Sequence, residues 1–351
     1  MKHHLTLLRF TSRLKIIFSL GALGFATAIN AADANSFKPG QLWLDTAGKP
    51  INAHGGGMLY YQGTYYWYGE HKEGPTTTPA CNKSWGGTRT EVVGVHCYSS
   101  TNLFHWKDEG LALRAVTNDP QHDLHSSGVL ERPKVVFNAK TKKFVMWMHI
   151  DSVDYSAARA GVAVADQPTG PFTYLNSVRP EGQMSRDQTL FQDDDGTAYR
   201  VYASENNQTT YISRLSDDYL THSGKFVKAF AGRSMEAQAI CKRGGKYYLI
   251  ASGCSGWAPN AARSAVADNI MGPWTEPGNP CEGKNAETTF GGQSTYLLPV
   301  AGKPGAIIFM ADIWKGEDIA SSRYLWLPVR FEDGKPRIRW EKSWNLSAFD
   351  H

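Results

Sequence analysis

After about residue 31 the chain has no apolar run that approaches the roughly twenty consecutive residues a membrane-spanning helix needs. It also lacks a sustained helical stripe, since no apolar pattern of period 3.6 holds for more than a few turns. That excludes helical bundles and α/β architectures. An excess of one charge is missing as well. The 37 Lys and Arg outnumber the 33 Asp and Glu. Four of the basic residues (Lys2, Arg9, Arg13 and Lys15) fall within the first 31 positions, which hold no acidic residue. The rest is balanced, so nothing points to nucleic acid or an anionic membrane surface as a partner. Cysteine is sparse, five in all, and its spacing does not fit a zinc site. No metal or cofactor is expected.

The first thirty residues differ from everything that follows. A basic start, an apolar core over Ile16 to Ala26 and small residues at Ala26, Ala28, Ala31 and Ala32 follow the grammar of a secretory signal peptide. The expectation is a cleaved segment 1–31 and a mature protein of residues 32–351, exported to the periplasm or the medium. Asn30 and Asp33 end the apolar stretch too early for an anchor. In that setting disulfides persist. Five is an odd number, so at least one thiol stays unpaired within the chain. Cys81 and Cys97 bracket a polar loop, Cys254 and Cys281 lie in loop-rich segments, and Cys241 in its apolar run is the expected buried thiol.

What is present is a repeated unit, a turn followed by an aromatic or β-branched run. It occurs at Gly63-Thr-Tyr-Tyr-Trp-Tyr-Gly, Lys143-Phe-Val-Met-Trp-Met-His, Gly196-Thr-Ala-Tyr-Arg-Val-Tyr, Gly245-Lys-Tyr-Tyr-Leu-Ile-Ala and Gly305-Ala-Ile-Ile-Phe-Met-Ala. A second strand-and-turn piece follows each. Five units spaced by roughly fifty to eighty residues predict an all-β, five-bladed β-propeller in a single domain. Two polar stretches interrupt the pattern. Residues 71–91 are a candidate lid, and residues 116–130, with His122 and His125, form another loop.

In a propeller the strand starts of all blades converge on the axis. Four polar residues precede apolar strands in four successive units: Glu131, Asp187, Glu236 and Gln293. A buried carboxylate is costly unless it is paired or functional, and Arg132 and Arg186 stand beside Glu131 and Asp187 as candidate partners. Two carboxyl groups flanking one bond suit glycoside hydrolysis. Trp67, Trp85, Trp257 and Trp314, near loop ends, are candidate stacking platforms for a sugar.

Taken together, Ala53-His-Gly-Gly-Gly-Met, Tyr65-Tyr-Trp-Tyr-Gly-Glu-His-Lys, Glu131-Arg-Pro-Lys-Val, Arg186-Asp-Gln, Ser234-Met-Glu-Ala, Ser252-Gly-Cys-Ser-Gly-Trp and Gly291-Gly-Gln-Ser carry a resemblance. The chain resembles glycoside hydrolase family 43, and within it the exo-β-1,3-galactanase branch, from about residue 40 to the end. The resemblance implies an inverting hydrolase acting on galactan-type chains, and a monomer is expected. It makes Glu236 the acid and Asp187 the group that tunes it. Most of the family has a first-blade Asp as base, but here His54-Gly55-Gly56 stands in its place. The galactanase branch shares that loss, and the water-positioning role passes to Gln293. Glu70, Glu131, Tyr155 and Asn207 are implied galactose contacts, with Trp257 nearby. An amide oxygen accepts a hydrogen bond but is a very poor base, so Glu131 and Glu70 stay open as alternatives. An arabinofuranosidase, a β-xylosidase or a catalytically inactive sugar-binding propeller are the competing readings.

Overall fold

The computed structural model describes Met1 and residues 35–350, so the expected targeting segment lies outside the described residues apart from Met1. Each repeated run is the second strand of a separate antiparallel sheet: Thr64–Lys72, Lys143–Asp151, Ala198–Ser204, Lys246–Gly253 and Ile307–Ile313. Five sheets arranged in this way make a five-bladed β-propeller. Four blades have four strands, and the last gains a fifth, Cys281–Glu282, which pairs parallel to Lys335–Arg339 on its outer edge. Turn chemistry sets the register. Gln62 and Gly63 both have positive φ (48° and 83°) between paired Tyr61 and Thr64, the two-residue geometry that matches strand twist. Asp333 and Gly334 do the same between Glu332 and Lys335.

The blades bury both faces, so the core is divided among the five blade interfaces. Val136, Val145 and Trp147 of the second blade meet Leu190 and Leu215 of the third, for example. Between the first and last blades the layer is aromatic, with Trp67, Trp106, Trp326 and Trp344 all buried. Ring centroids of Trp67 and Trp326 lie 4.8 Å apart. Trp67 is 1% exposed, so it belongs to this seam and not to a sugar site. Among the described residues the ring closes here without exchange of a blade strand. Phe37 and Trp344, near the two ends of the described chain, exchange backbone hydrogen bonds.

Four of the innermost strands carry a bulge near the axis: His54–Tyr61, Val129–Asn138, Met235–Arg243 and Gln293–Pro299. In the first three of these the bulge residue is left-handed, at Gly55 (φ 57°), Arg132 (φ 54°) and Ala237 (φ 57°). Bulges re-aim side chains beside active sites, and here they also turn a backbone N–H toward the preceding blade. Gly55 donates to Asp312 (2.7 Å), Arg132 to Glu70 (2.9 Å) and Ala237 to Asp187 (3.1 Å). Each bond joins two blades at the axis and fixes one carboxylate.

None of the five cysteines is bridged. Cys97, Cys241 and Cys281 are buried, whereas Cys81 and Cys254 are exposed. Among the described residues no helix is long and apolar enough to cross a membrane.

The aromatic seam makes a prediction. Trp326→Ala should lower unfolding free energy by about 3–5 kcal/mol, the usual range for removing a buried tryptophan side chain. Denaturant unfolding followed by circular dichroism measures it, and a loss below about 1 kcal/mol would contradict the packing described.

Candidate active site

All four axis residues expected from the sequence reach one cavity of about 350 Å³ at the mouth of the propeller. So do Glu70, Tyr155, Asn207 and Trp257. The volume is at the small end of the range for ligand pockets, roughly 300–1,000 Å³.

Glu236 sits on the inner strand of the fourth blade. Its Oε1 accepts from Gln293 Nε2 (3.0 Å) and its Oε2 from Asn207 Nδ2 (3.1 Å). Loss of water and the like charge of Asp187 push its pKa up to about 8. Glu236 therefore holds its proton at neutral pH. Asp187 is itself fixed by Ala237 N–H and by the guanidinium of Arg132, 3.0 Å away.

Arg132 and Arg186 do not pair with their chain neighbours. The left-handed backbone swings Arg132 away from Glu131 and into the axis, where it bonds Asp187, Gln293 Oε1 (2.6 Å) and the Ser294 carbonyl (2.9 Å). Arg186 instead donates to the Tyr155 carbonyl (2.8 Å). The partner of Glu131 is His149, whose Nδ1 lies 3.3 Å away while its Nε2 faces Asp151 at 2.9 Å. Burial opposes a charge on His149, but the two carboxylates outweigh it and raise its pKa to about 9. Glu131 is partly withdrawn from water too, yet His149 and Lys72 bring it down to about 2. Tyr155 donates to it at 2.9 Å. Glu131 is thus a fixed anion in the wall.

Position 55, in the segment that stands where the first-blade Asp is expected, has no room for a side chain. A Cβ built on Gly55 would lie 2.0 Å from Glu70 Oε1. The Glu70 carboxylate, buried and paired with Lys72 Nζ (2.6 Å), already fills that space. Gln293 is fully engaged as well. Its oxygen accepts from Arg132 and from Trp314 Nε1 (2.9 Å), while its NH₂ donates to Glu236 and Ser252. An amide offers two acceptor and two donor positions, so a water bound to that oxygen must replace one of the donors.

Glu131, His149 and Asp187 each offer one ligand atom within 4.8 Å of the others. Arg132 already supplies the positive charge there, and His149 carries a proton between two carboxylates, so the cluster is poorly suited to a cation.

The 71–91 segment straps one side of the mouth. Asn82 donates to the Val153 carbonyl (2.9 Å), Thr76 Oγ1 accepts from Ile319 N–H (2.9 Å), and Thr88 accepts at its carbonyl from Trp257 Nε1 (3.1 Å). These bonds reach loops of the second, fifth and fourth blades. Trp85, on this strap, is 52% exposed and stands edge-on to Tyr155. The 116–130 loop adds nothing to the lining. Its Asp123 binds Tyr174 and Ser177 on the outside of the second blade.

Sequence reasoning missed His149, Asp154 and Cys254 in the lining. A signal for His149 existed: with Trp147 and Asp151 it occupies one face of a period-2 strand, so a histidine and an acid face the same way.

With this geometry in hand, comparison decides the family. The family profile described as glycosyl hydrolases family 43 matches residues 51–297, well over half of the chain. The chain belongs to glycoside hydrolase family 43. Among solved structures it is similar to a GH43 β-1,3-galactosidase determined with galactodeoxynojirimycin. That pair shares 43% identity over 88% of this chain and 100% of the other, with a TM-score of 0.81. It is also similar to the exo-β-1,3-galactanase of Phanerochaete chrysosporium determined with β-1,3-galactotriose (38% identity, 89% and 68% covered, TM-score 0.78). A third is an exo-β-1,3-galactanase of Clostridium thermocellum (34%, 88% and 66%, 0.76). Among curated proteins none matches. As a family 43 member the chain is a glycoside hydrolase on a five-bladed propeller.

Asp187 is the group whose removal should show in Glu236. Asp187→Asn removes a like charge and leaves Arg132 with one carboxylate fewer, and both effects favour the ionised form. The pKa of Glu236 should then fall clearly below about 8, as read by carbon-13 titration of the labelled side-chain carboxyl. An unchanged titration would contradict the coupling.

Proposed function

We propose that the chain is a secreted, inverting exo-β-1,3-galactanase that releases galactose from the ends of β-1,3-galactan. The observation that carries this reading is a carboxyl group kept protonated to about pH 8 in a small cavity walled by fixed carboxylates and indoles. Glu236 donates its proton to the glycosidic oxygen as the C–O bond breaks. Asp187 sets the proton affinity of that acid, and the anionic wall (Glu131, Glu70) accepts sugar hydroxyls and stabilises positive charge developing on the ring. A water attacks the anomeric carbon from the opposite face, and Gln293 places it by exchanging the Trp314 bond for the water. The water's second proton passes to a wall carboxylate or to solvent, since the amide is too weak a base to keep it. The strap with Trp85 closes one side of the mouth, which suits removal of terminal units. The names of the similar structures, exo-β-1,3-galactanases among them, support galactose as the sugar.

The decisive assay is β-1,3-galactobiose followed by proton NMR of the anomeric signals. The expected first product is α-galactose. Turnover of an arabinofuranoside or xyloside alone, or binding without turnover, would refute the galactanase reading. Glu236→Gln should cost roughly 10²–10⁴-fold in kcat, the span of general acid–base catalysis. Gln293→Ala should lower kcat with little change in binding. The acid works in its protonated form, which exists below about pH 8 and is lost as pH rises through that value. The basic limb of kcat/KM should therefore lie near 8 and move down in Asp187→Asn.

A further inference from the structure

Two tryptophans are conspicuously exposed among the described residues. Trp85 is in the active-site cavity, and Trp340 is 44% exposed. Trp340 lines a second groove, of about 650 Å³, with Phe290, Glu282, Lys284, Asn285 and Arg339. The Phe290 and Trp340 rings lie 6.1 Å apart at 53°, so they form an angled corner of which Phe290 is the buried side and Trp340 the exposed one. Lys284 and Asn285 are exposed. Asn285 has a left-handed backbone (φ 67°), and its side chain makes no capping bond to the short helix that follows. Glu282 is held by Arg337 (3.1 Å) and Arg339 (2.7 Å), which fixes a carboxylate at the rim. An exposed indole edged by an amide, an ammonium and a fixed carboxylate is the chemistry that binds a pyranose: C–H groups on the ring, hydroxyls to the polar edge.

The groove lies on the outer side of the last blade, whose inner strand starts at Gln293 in the cavity. The next three strands alternate in direction, so Lys335–Arg339 runs toward the mouth with Trp340 next in the chain. Its pairing with residues 329–332, where Val329 is level with Ile307 and Pro299, sets it beside the half of the blade away from the mouth. Three strand spacings of about 4.8 Å across the blade therefore separate the two sites by at least about 15 Å. The segment that walls the groove, Ala286–Gly291, leads straight into Gln293, and Thr289 ties it to the Asn260 carbonyl (2.7 Å).

We propose that this groove is a second carbohydrate-binding site that holds a stretch of β-1,3-galactan away from the bond being cleaved. The choice of galactan rests on the function proposed above; the groove's own chemistry calls for a sugar. The site does not act on the bond, so it should matter for polymer and not for disaccharide.

The test compares wild type, Trp340→Ala and Trp340→Phe on long soluble β-1,3-galactan and on β-1,3-galactobiose. Trp340→Ala should raise KM for the polymer three- to tenfold and weaken retention in galactan-containing gels, with galactobiose turnover within twofold of wild type. Trp340→Phe should restore much of the polymer affinity. Retention measured in the Glu236→Gln background should show the same loss, which separates binding from cleavage. Unchanged polymer KM and retention in Trp340→Ala would overturn the proposal, as would an equal loss on galactobiose. If wild type fails to cleave galactobiose, the galactanase reading has failed on its own. The groove is then judged on gels of galactan, xylan and arabinan. Trp340-dependent retention in any one of them keeps it as a carbohydrate site, and none removes it.

Discussion

The guanidinium of Arg132 is the interaction on which the rest of the cavity depends. It lies at the axis, buried, and links the second blade to Asp187 of the third and to Gln293 and Ser294 of the fifth, while its own N–H holds Glu70 of the first. A buried charge without partners would cost several kcal/mol. Here the partners are the very groups that surround the reaction, so the cation and the site stabilise each other. Breaking one bond leaves both an unpaired charge and a displaced functional group.

Around that centre the wall is organised by alternating sign. Glu131 is flanked by His149 and Lys72, Glu70 by Lys72 and the Arg132 amide, and Asp187 by Arg132. Glu236 has neutral partners, the amides of Gln293 and Asn207 and the thiol of Cys254. This difference in partners explains why neighbouring carboxyl groups hold opposite protonation states at one pH: Glu131 is kept ionised by cations, and Glu236 is kept protonated by dehydration and by Asp187.

Much of this was legible in the residues, for a physical reason. The second strand of every blade is buried on both faces, so it must be written as an aromatic or branched run behind a tight turn, and five such runs count five blades. The residues that interrupt the starts of inner strands reach the axis because nothing else lies there. Partnerships across blades were not legible. Arg132 reads as a neighbour of Glu131, yet a left-handed residue in a bulge turns it to Asp187 of the next blade. Trp67 and Trp257 look alike in sequence, but one faces the seam between the first and last blades and the other a loop over the cavity. Direction within a blade depends on register, which single residues do not announce.

The three left-handed bulges have one more implication. The groups that grip Asp312, Glu70 and Asp187 are peptide amides, and the side chains at those positions are as unlike as hydrogen, a guanidinium arm and a methyl. The grip is therefore set by the backbone at all three positions, separately from what the Arg132 side chain does at the axis or the room Gly55 leaves for Glu70. Proline, which has no N–H, would remove the grip at any of them. Part of this pocket is inherited as backbone shape, and letters alone under-record it.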